Sequence, residues 1–346
     1  MINPETIKQL DTQGMLPSID RLAKQVEHAW AEAENTTMPV AYKNVNKIVV
    51  FGMGGSILGA DIIRNVFSDK LTVPLLIENN YHVPTFVDAN TLVVLSSYSG
   101  TTEETLEIAK TIQQKTKKIL VVTTGGELKT FKEQNNLPGY IINPTYNPCN
   151  QPRIAVGYAV TGLMRLLTMI NLIKLTEQQI NEVIHYLDNN KEHLKEQAIK
   201  TAQALYDKIP VYVGSEFLMG NLHVLSNQTN ENGKNFSTIY AIPELNHHLM
   251  EGLGNPNEAN KNLKFVLVES KLYHERVQKR FAVTKQVIEK NKLEYTNFIT
   301  QADTKLTQSF EVLQWGSYVS FYLAMLNEID PSPIPWVDYF KHALKA

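Results

Sequence analysis

The chain has 346 residues, with 33 Lys or Arg against 35 Asp or Glu and a formal net charge of −2. That length predicts two domains of ordinary size, and near-neutrality without a long run of like charge argues against a nucleic-acid partner. The single cysteine, Cys149, excludes an intrachain disulfide framework and a Cys-rich zinc site, and the nine histidines show no His-Glu-x-x-His spacing, so no metal is expected.

The opening Met1-Ile2-Asn3-Pro4-Glu5 lacks the basic segment and apolar core of a signal peptide. With the lone cysteine, this predicts a cytoplasmic protein. Residues 18–34 carry Ile19, Leu22, Ala23, Val26 and Trp30 at helical spacing and predict a lead-in helix. Residues 47–51 form a short apolar strand that runs into Gly52-Met53-Gly54-Gly55-Ser56, after which Ile57, Leu58, Ala60, Ile62 and Ile63 begin a helical pattern. A dinucleotide fingerprint would need glycine where Ile57 stands, and a Walker loop would need a following Gly-Lys-Ser/Thr.

Further strands are predicted at 73–77, 91–95, 118–123 and 140–143, separated by helical stretches around Pro84, over 101–115 and over 126–134. This alternation predicts a doubly wound parallel sheet. The strand at 91–95 ends in Ser96-Ser97-Tyr98-Ser99-Gly100-Thr101-Thr102-Glu103-Glu104-Thr105, and Leu106, Ala109 and Ile112 then repeat at helical spacing. Thr101 and Glu104 have the spacing of a capping box. The loop therefore lies where free N–H groups and the positive helix end face outward, and Ser97, Ser99, Thr101 and Thr102 add neutral donors. An ordinary capping loop explains two hydroxyls; four around a glycine at a strand end favour anion binding. Gly125-Gly126 makes a third loop at the same edge, where ligands of such sheets gather.

Pro144, Pro148 and Pro152 punctuate an irregular crossing that delivers Arg153, and a long helical region is predicted over 154–206. Its apolar part, 154–175, is interrupted by Arg165, Asn171 and Lys174, so it predicts a buried helix and not a membrane span. A second αβ pattern follows: strand 211–213, helix 217–230, strands 237–242 and 264–269, helix 275–289 and strand 294–298. The second half thus looks like a degenerate duplication of the first. A helix over 307–328, the bend Asp330-Pro331-Ser332-Pro333-Ile334-Pro335 and a last helix over 336–344 end the chain.

The Gly-Met-Gly-Gly-Ser loop, the Ser97–Thr105 loop, Glu231-Asn232-Gly233-Lys234 and Pro243-Glu244-Leu245-Asn246-His247-His248 together resemble a sugar isomerase (SIS) domain protein. More narrowly they are similar to the bifunctional phosphoglucose/phosphomannose isomerases, over most of residues 47–344. The resemblance implies an α/β fold of two SIS subdomains flanked by helices: a lead-in over 1–45, subdomains over 46–175 and 209–346, and a linking helix over 176–208. It also implies a homodimer, no metal or organic cofactor, and a sugar phosphate held by Gly54, Gly55, Ser56, Ser97, Ser99, Thr101 and Thr102. Arg153 would lie near the reacting carbons, Glu231 would move the proton between C2 and C1, and His247 would open the ring from the neighbouring subunit. Lys341 matches the C-terminal lysine of such sites. The implied activity interconverts glucose 6-phosphate and mannose 6-phosphate with fructose 6-phosphate; a non-catalytic phosphosugar-binding regulator, or an isomerase of another phosphosugar, is the alternative.

These residue types suit that chemistry. Ring opening needs a group with near-neutral pKa, for which imidazole is apt. Enediol proton transfer needs a carboxylate close to two adjacent carbons, and the developing oxyanion needs a fixed cation such as a guanidinium. Each residue also has a structural reading: Glu231 and Lys341 as solvated surface charges, His247 as a loop residue, Arg153 as a helix-start pair. A cation is disfavoured at a helix start, which points Arg153 toward a ligand.

Overall fold

The computed structural model describes residues 2–256, 258 and 261–344. Two parallel sheets organise them, one in each half of the chain. The first contains β1 (Lys47–Phe51), β2 (Leu75–Glu78), β3 (Thr91–Ser96), β4 (Ile119–Thr123) and β5 (Gly139–Ile141), in the order β2-β1-β3-β4-β5. The second contains β6 (Ile209–Ser215), β7 (Thr238–Ile242), β8 (Leu263–Glu269) and β9 (Glu294–Ile299), in the order β7-β6-β8-β9. Paired strands are parallel throughout, with Ile48 beside Leu92 in the first sheet and Val211 beside Phe265 in the second. Every residue of β3 and β4 is buried, as unbroken apolar runs require when helices cover both faces.

The helices are α1 (Pro4–Leu10), α2 (Met15–Asp20), α3 (Leu22–Glu34), α4 (Gly55–Val66), α5 (Glu103–Ile112), α6 (Gly126–Gln134), α7 (Val156–Met169), α8 (Glu177–Leu205), α9 (Met219–Glu231), α10 (Glu275–Lys290), α11 (Lys305–Leu326) and α12 (Pro335–Ala343). Residues of α3, α4 and α7 share one core with the first sheet, while α5 and α6 cover its other face through Ile108, Ile112 and Leu128. The second core gathers β6, β8, α9 and α11 around Trp315, which stacks on Phe298 with ring centres 4.1 Å apart. The halves are not separate bodies. Met15 and Ile19 of α2 enter the second core, whereas α3 and residues Phe310 and Leu313 of α11 belong to the first.

Two glycines bring the helices that matter for function into backbone contact. A Cβ on Gly59 would lie 2.9 Å from the carbonyl carbon of Ala159, and one on Gly220 would lie 2.6 Å from the Asp61 carbonyl oxygen. Helix α4 is thus wedged between α7 and α9, and Asp61 Oδ2 meets His223 Nδ1 at 2.8 Å across that contact.

Three expectations are corrected here. No helix forms around Pro84: residues 79–90 run irregularly, with Asn79 Nδ2 donating to Gly52 O at 2.7 Å and Asp88 accepting from Asn90 N at 2.9 Å and Thr91 Oγ1 at 3.0 Å. These local side-chain bonds compete with a helical ladder, and Val83, preceding proline, is biased toward extended backbone. The expected 154–206 helix is two helices, because Asn171 turns left-handed (φ +59°) after α7 and Thr176 with Gln179 forms a capping box that starts α8. The lead-in helix starts earlier than expected and turns at Arg21, where Ser18 O accepts from both Arg21 N and Gln25 Nε2 at 3.3 Å.

Candidate functional site

Three loops meet at the carboxyl edge of the first sheet: β1 to α4, β3 to α5 and β4 to α6. They are packed backbone to backbone. Gly100 sits at φ +70°, and a Cβ there would lie 1.8 Å from Gly125 O, a clash no side chain could relieve. The first two loops are stitched by Ser56, whose Oγ accepts from Tyr98 N at 2.8 Å and whose carbonyl accepts from Ser96 Oγ at 2.7 Å. Tyr98 O in turn accepts from Thr124 N at 2.9 Å and Thr124 Oγ1 at 2.6 Å, tying in the third.

Among the hydroxyls, Ser99 and Thr101 are exposed, Ser56 and Thr102 are half-buried, and Ser97 is buried. Ser97 Oγ accepts from Gly100 N at 3.1 Å and meets Thr102 Oγ1 at 2.7 Å, and Thr101 Oγ1 donates to Ser99 Oγ at 3.1 Å. The capping box expected of Thr101 and Glu104 is not made: α5 begins after Thr102, and the hydroxyl of Thr102 turns toward Ser97. Neither Gly54 nor Thr102 caps its helix by a side chain; in α4, Ser56 N and Ile57 N donate back to Met53 O at 3.1 Å and Gly54 O at 3.2 Å, while α5 opens with no side-chain acceptor of its own. Among the described residues no group of three or more His, Cys, Asp or Glu side chains is placed to hold a metal ion.

Beside this edge lies Arg153, on a 3-10 turn (Pro152–Ile154) and 1 % exposed. A Cβ on Gly55 would lie 2.9 Å from Arg153 N, so the arginine turn is pressed against the start of α4. Its guanidinium is fully engaged. Nε donates to Asn232 Oδ1 at 2.5 Å, Nη1 to Gln151 Oε1 at 2.7 Å, and Nη2 to Pro331 O at 3.0 Å and Ser332 O at 2.8 Å. Nη1 also lies 3.4 Å from Glu231 Oε2. Buried cations persist only when paired and bonded in this way.

Glu231 is the last residue of α9. The turn after it is held by Asn232 Nδ2 on Ser320 Oγ and Asn327 Nδ2 on Gly233 O, each at 3.0 Å. Lys234, with φ +50°, sends its ammonium back to the Glu231 carbonyl and to Pro331 O at 3.1 Å. Burial raises the Glu231 pKa, and the charges of Arg153, Lys234 and Lys341 oppose the rise. Burial next to Arg153 pushes the Lys234 pKa down to about 8.

The structure therefore joins Arg153, Glu231 and, electrostatically, Lys341 beside the hydroxyl loops. Lys341 is carried by α12, which follows the strap whose carbonyls Arg153 binds. His247 stands elsewhere: it is exposed on a 3-10 turn (Glu244–His247) after β7, and among the described residues no hydrogen bond or ion pair joins it to Arg153 or Glu231. Sequence reading assigned no role to Gln151, Asn232, Lys234 or Tyr98. The first three flank Arg153 and Glu231 in their own motifs, a local signal that was available.

Three comparisons bear on this site. Residues 194–344 match a family model described as the bacterial phospho-glucose isomerase C-terminal SIS domain. A bifunctional phosphoglucose/phosphomannose isomerase of Caldicellulosiruptor bescii is 30 % identical over 341 residues, covering 95 % of this chain and 98 % of that protein. One from Aquifex aeolicus is 27 % identical, covering 86 % and 90 %. In fold, a hypothetical protein from Thermus thermophilus superposes with a TM-score of 0.73 at 16 % identity, covering 99 % of this chain and 92 % of that one. With near-complete coverage of the first relative, the chain belongs to the sugar isomerase (SIS) family, among the bifunctional phosphoglucose/phosphomannose isomerases.

Proposed function

We propose that this chain is an aldose–ketose isomerase that interconverts glucose 6-phosphate, and mannose 6-phosphate, with fructose 6-phosphate. The phosphate is held by Ser56, Ser97, Ser99, Thr101 and Thr102, by the backbone at Gly54 and Gly55, and by the amides that open α5 after Thr102. Glu231 takes the proton from C2 and returns it to C1 through a cis-enediol, since one carboxylate reaches both carbons. Its raised pKa makes it a stronger base, and three cations keep it ionised. Arg153 fixes the Glu231 carboxylate and supplies positive charge near the enediolate oxygens, and Lys341 stands on the open side. The observation that carries this reading is the 3.4 Å Arg153–Glu231 pair, made by an arginine whose backbone is pressed against the start of α4. A coupled assay of the purified chain with each aldose phosphate tests it: turnover is expected with both, and turnover of neither removes the isomerase reading.

The finer proposals are a homodimer, a cytoplasmic setting, subdomains over 46–175 and 209–346, and ring opening by His247 of the neighbouring subunit. The exposure of His247 away from its own Glu231 supports that last step. Mixing a Glu231→Ala subunit with a His247→Ala subunit should then restore activity, since each heterodimer holds one site with both defects and one with neither. An inactive purified heterodimer places His247 in its own subunit's site or outside the mechanism.

A further inference from the structure

We infer that Tyr98 is a positioning residue that couples the phosphate loops to Arg153 through a chain of side-chain hydrogen bonds. The inference rests on the isomerase reading above. Tyr98 sits in the centre of the hydroxyl loop, yet it is buried and its hydroxyl is taken up by Asn147 and Asn150. Its main chain is tied to the other two phosphate loops, through Ser56 Oγ on one side and Thr124 on the other. With Gly55, Ser56, Pro152 and Ala155 it lines one small cavity between the loop and the arginine turn. The hydroxyl ends on the proline-punctuated crossing that carries the arginine: it donates to Asn150 Oδ1 at 3.2 Å and accepts from Asn147 Nδ2 at 3.0 Å.

The chain continues from there. Asn147 Nδ2 also donates to Gln151 O at 3.2 Å, and Gln151 Oε1 accepts from Arg153 Nη1 at 2.7 Å, which brings the path to the cation 3.4 Å from Glu231. Asn150 holds a left-handed conformation (φ +51°), sparsely populated by residues other than glycine, and Tyr98 bonds the side chain of this residue. Burial pushes the Tyr98 pKa up to about 12, so the phenol remains a donor across the working pH range. The crossing has little regular structure of its own: between β5 and α7 only the short 3-10 turn at Pro152–Ile154 is ordered by a backbone ladder. The Tyr98 hydroxyl therefore supplies a distant anchor for the segment that sets the arginine, and through it the carboxylate, against the bound phosphate. Displacements of about 1 Å at such groups can cost as much as ~10²-fold in rate.

Tyr98→Phe keeps the ring and removes the anchor. In the full chain we expect kcat for fructose 6-phosphate to fall about 10-fold at unchanged KM, the split that loss of a transition-state interaction produces. Inorganic phosphate, measured by calorimetry, should bind within twofold of the unsubstituted protein and certify the fold. Asn147→Ala should give a similar fall, and the double variant should be no worse than either, because both changes cut one path. A kcat within twofold of the unsubstituted protein overturns the inference. So does a multiplicative double variant, or a loss of phosphate binding alongside kcat, which would make Tyr98 a scaffold of the loop itself. An unsubstituted chain that turns over no sugar phosphate instead overturns the isomerase reading, and this inference with it.

Discussion

The carboxyl edges of the two sheets share one topology and differ in what fills them. At the first, β1 and β3 end in glycines and hydroxyls, two of which, Ser99 and Thr101, face solvent. At the second, the strands in equivalent places are β6, which ends in Ser215, and β8, which Ser270 follows, and both hydroxyls are consumed internally: Ser215 Oγ donates to Ile242 O at 2.5 Å and Ser270 Oγ to Gln308 Oε1 at 2.6 Å. The space is taken by Tyr273, 3 % exposed, whose hydroxyl accepts from Ser215 N and donates to Val268 O, both at 3.2 Å, while its ring stacks on Phe281. Even the amide at the start of α10 is satisfied from within, His274 N donating to Glu216 Oε1 at 2.9 Å. One edge leaves hydroxyls open to solvent; the other carries its own carboxylate and a phenol as a plug. From the opposite end of the second half's first helix, α9 brings Glu231 to Arg153, beside the edge of the first sheet.

Removing the delivered group should have the largest effect. Glu231→Gln keeps the shape and the contact with Arg153 but no longer accepts a proton, and kcat should fall by at least ~10²-fold with KM little changed. Steady-state assay of the purified variant decides it. A rate near that of the unsubstituted enzyme would leave the second half with no part in proton transfer.

The edges themselves can be set against each other with one pair of serine deletions. Ser99→Ala removes an exposed hydroxyl from the first edge. Loss of one hydrogen bond to a charged phosphate is worth about 1.5–3 kcal/mol, so KM should rise roughly 10- to 100-fold while the melting temperature stays put. Ser270→Ala, in the plugged edge, should do the reverse: KM within twofold and a lower melting temperature, since a buried Gln308 oxygen loses its donor at a cost of about 1–3 kcal/mol. Equal effects of both on KM would mean that the second edge also meets the ligand.

This contrast was only partly legible in the residues. Hydroxyl-rich turns after apolar runs mark strand-to-helix junctions wherever they fall, so the sheets, the hydroxyl loops and the Glu-Asn-Gly-Lys turn could be read from local pattern. Ser215 and Ser270 look as available for binding as Ser97 does, and only the three-dimensional position of Tyr273 shows that they are spent. The break after α7 rests on one left-handed Asn171, which helical periodicity does not register. The path from Tyr98 to Arg153 crosses more than fifty positions of sequence and runs through Asn147, which stands in no motif. Long-range polar contacts of this kind are set by packing, which spacing along the chain does not encode.

The smallest effect expected concerns the cation that backs Glu231 from the second half. Burial beside Arg153 pushes the Lys234 pKa to about 8, from 10.5 in the unfolded chain. Below pH 8 the lysine is charged in both states. Between about pH 8 and 10.5 the folded lysine is neutral while the unfolded one keeps its proton, so the unfolded state binds more protons and this group's contribution to stability rises with pH. Lys234→Met lacks the titration. Melting temperatures of the two proteins taken from pH 7 to pH 10 should therefore diverge in favour of the unsubstituted chain, with most of the change above pH 8. Parallel curves would show that Lys234 titrates as it does in water, which would place it outside the charge cluster around Arg153 and Glu231.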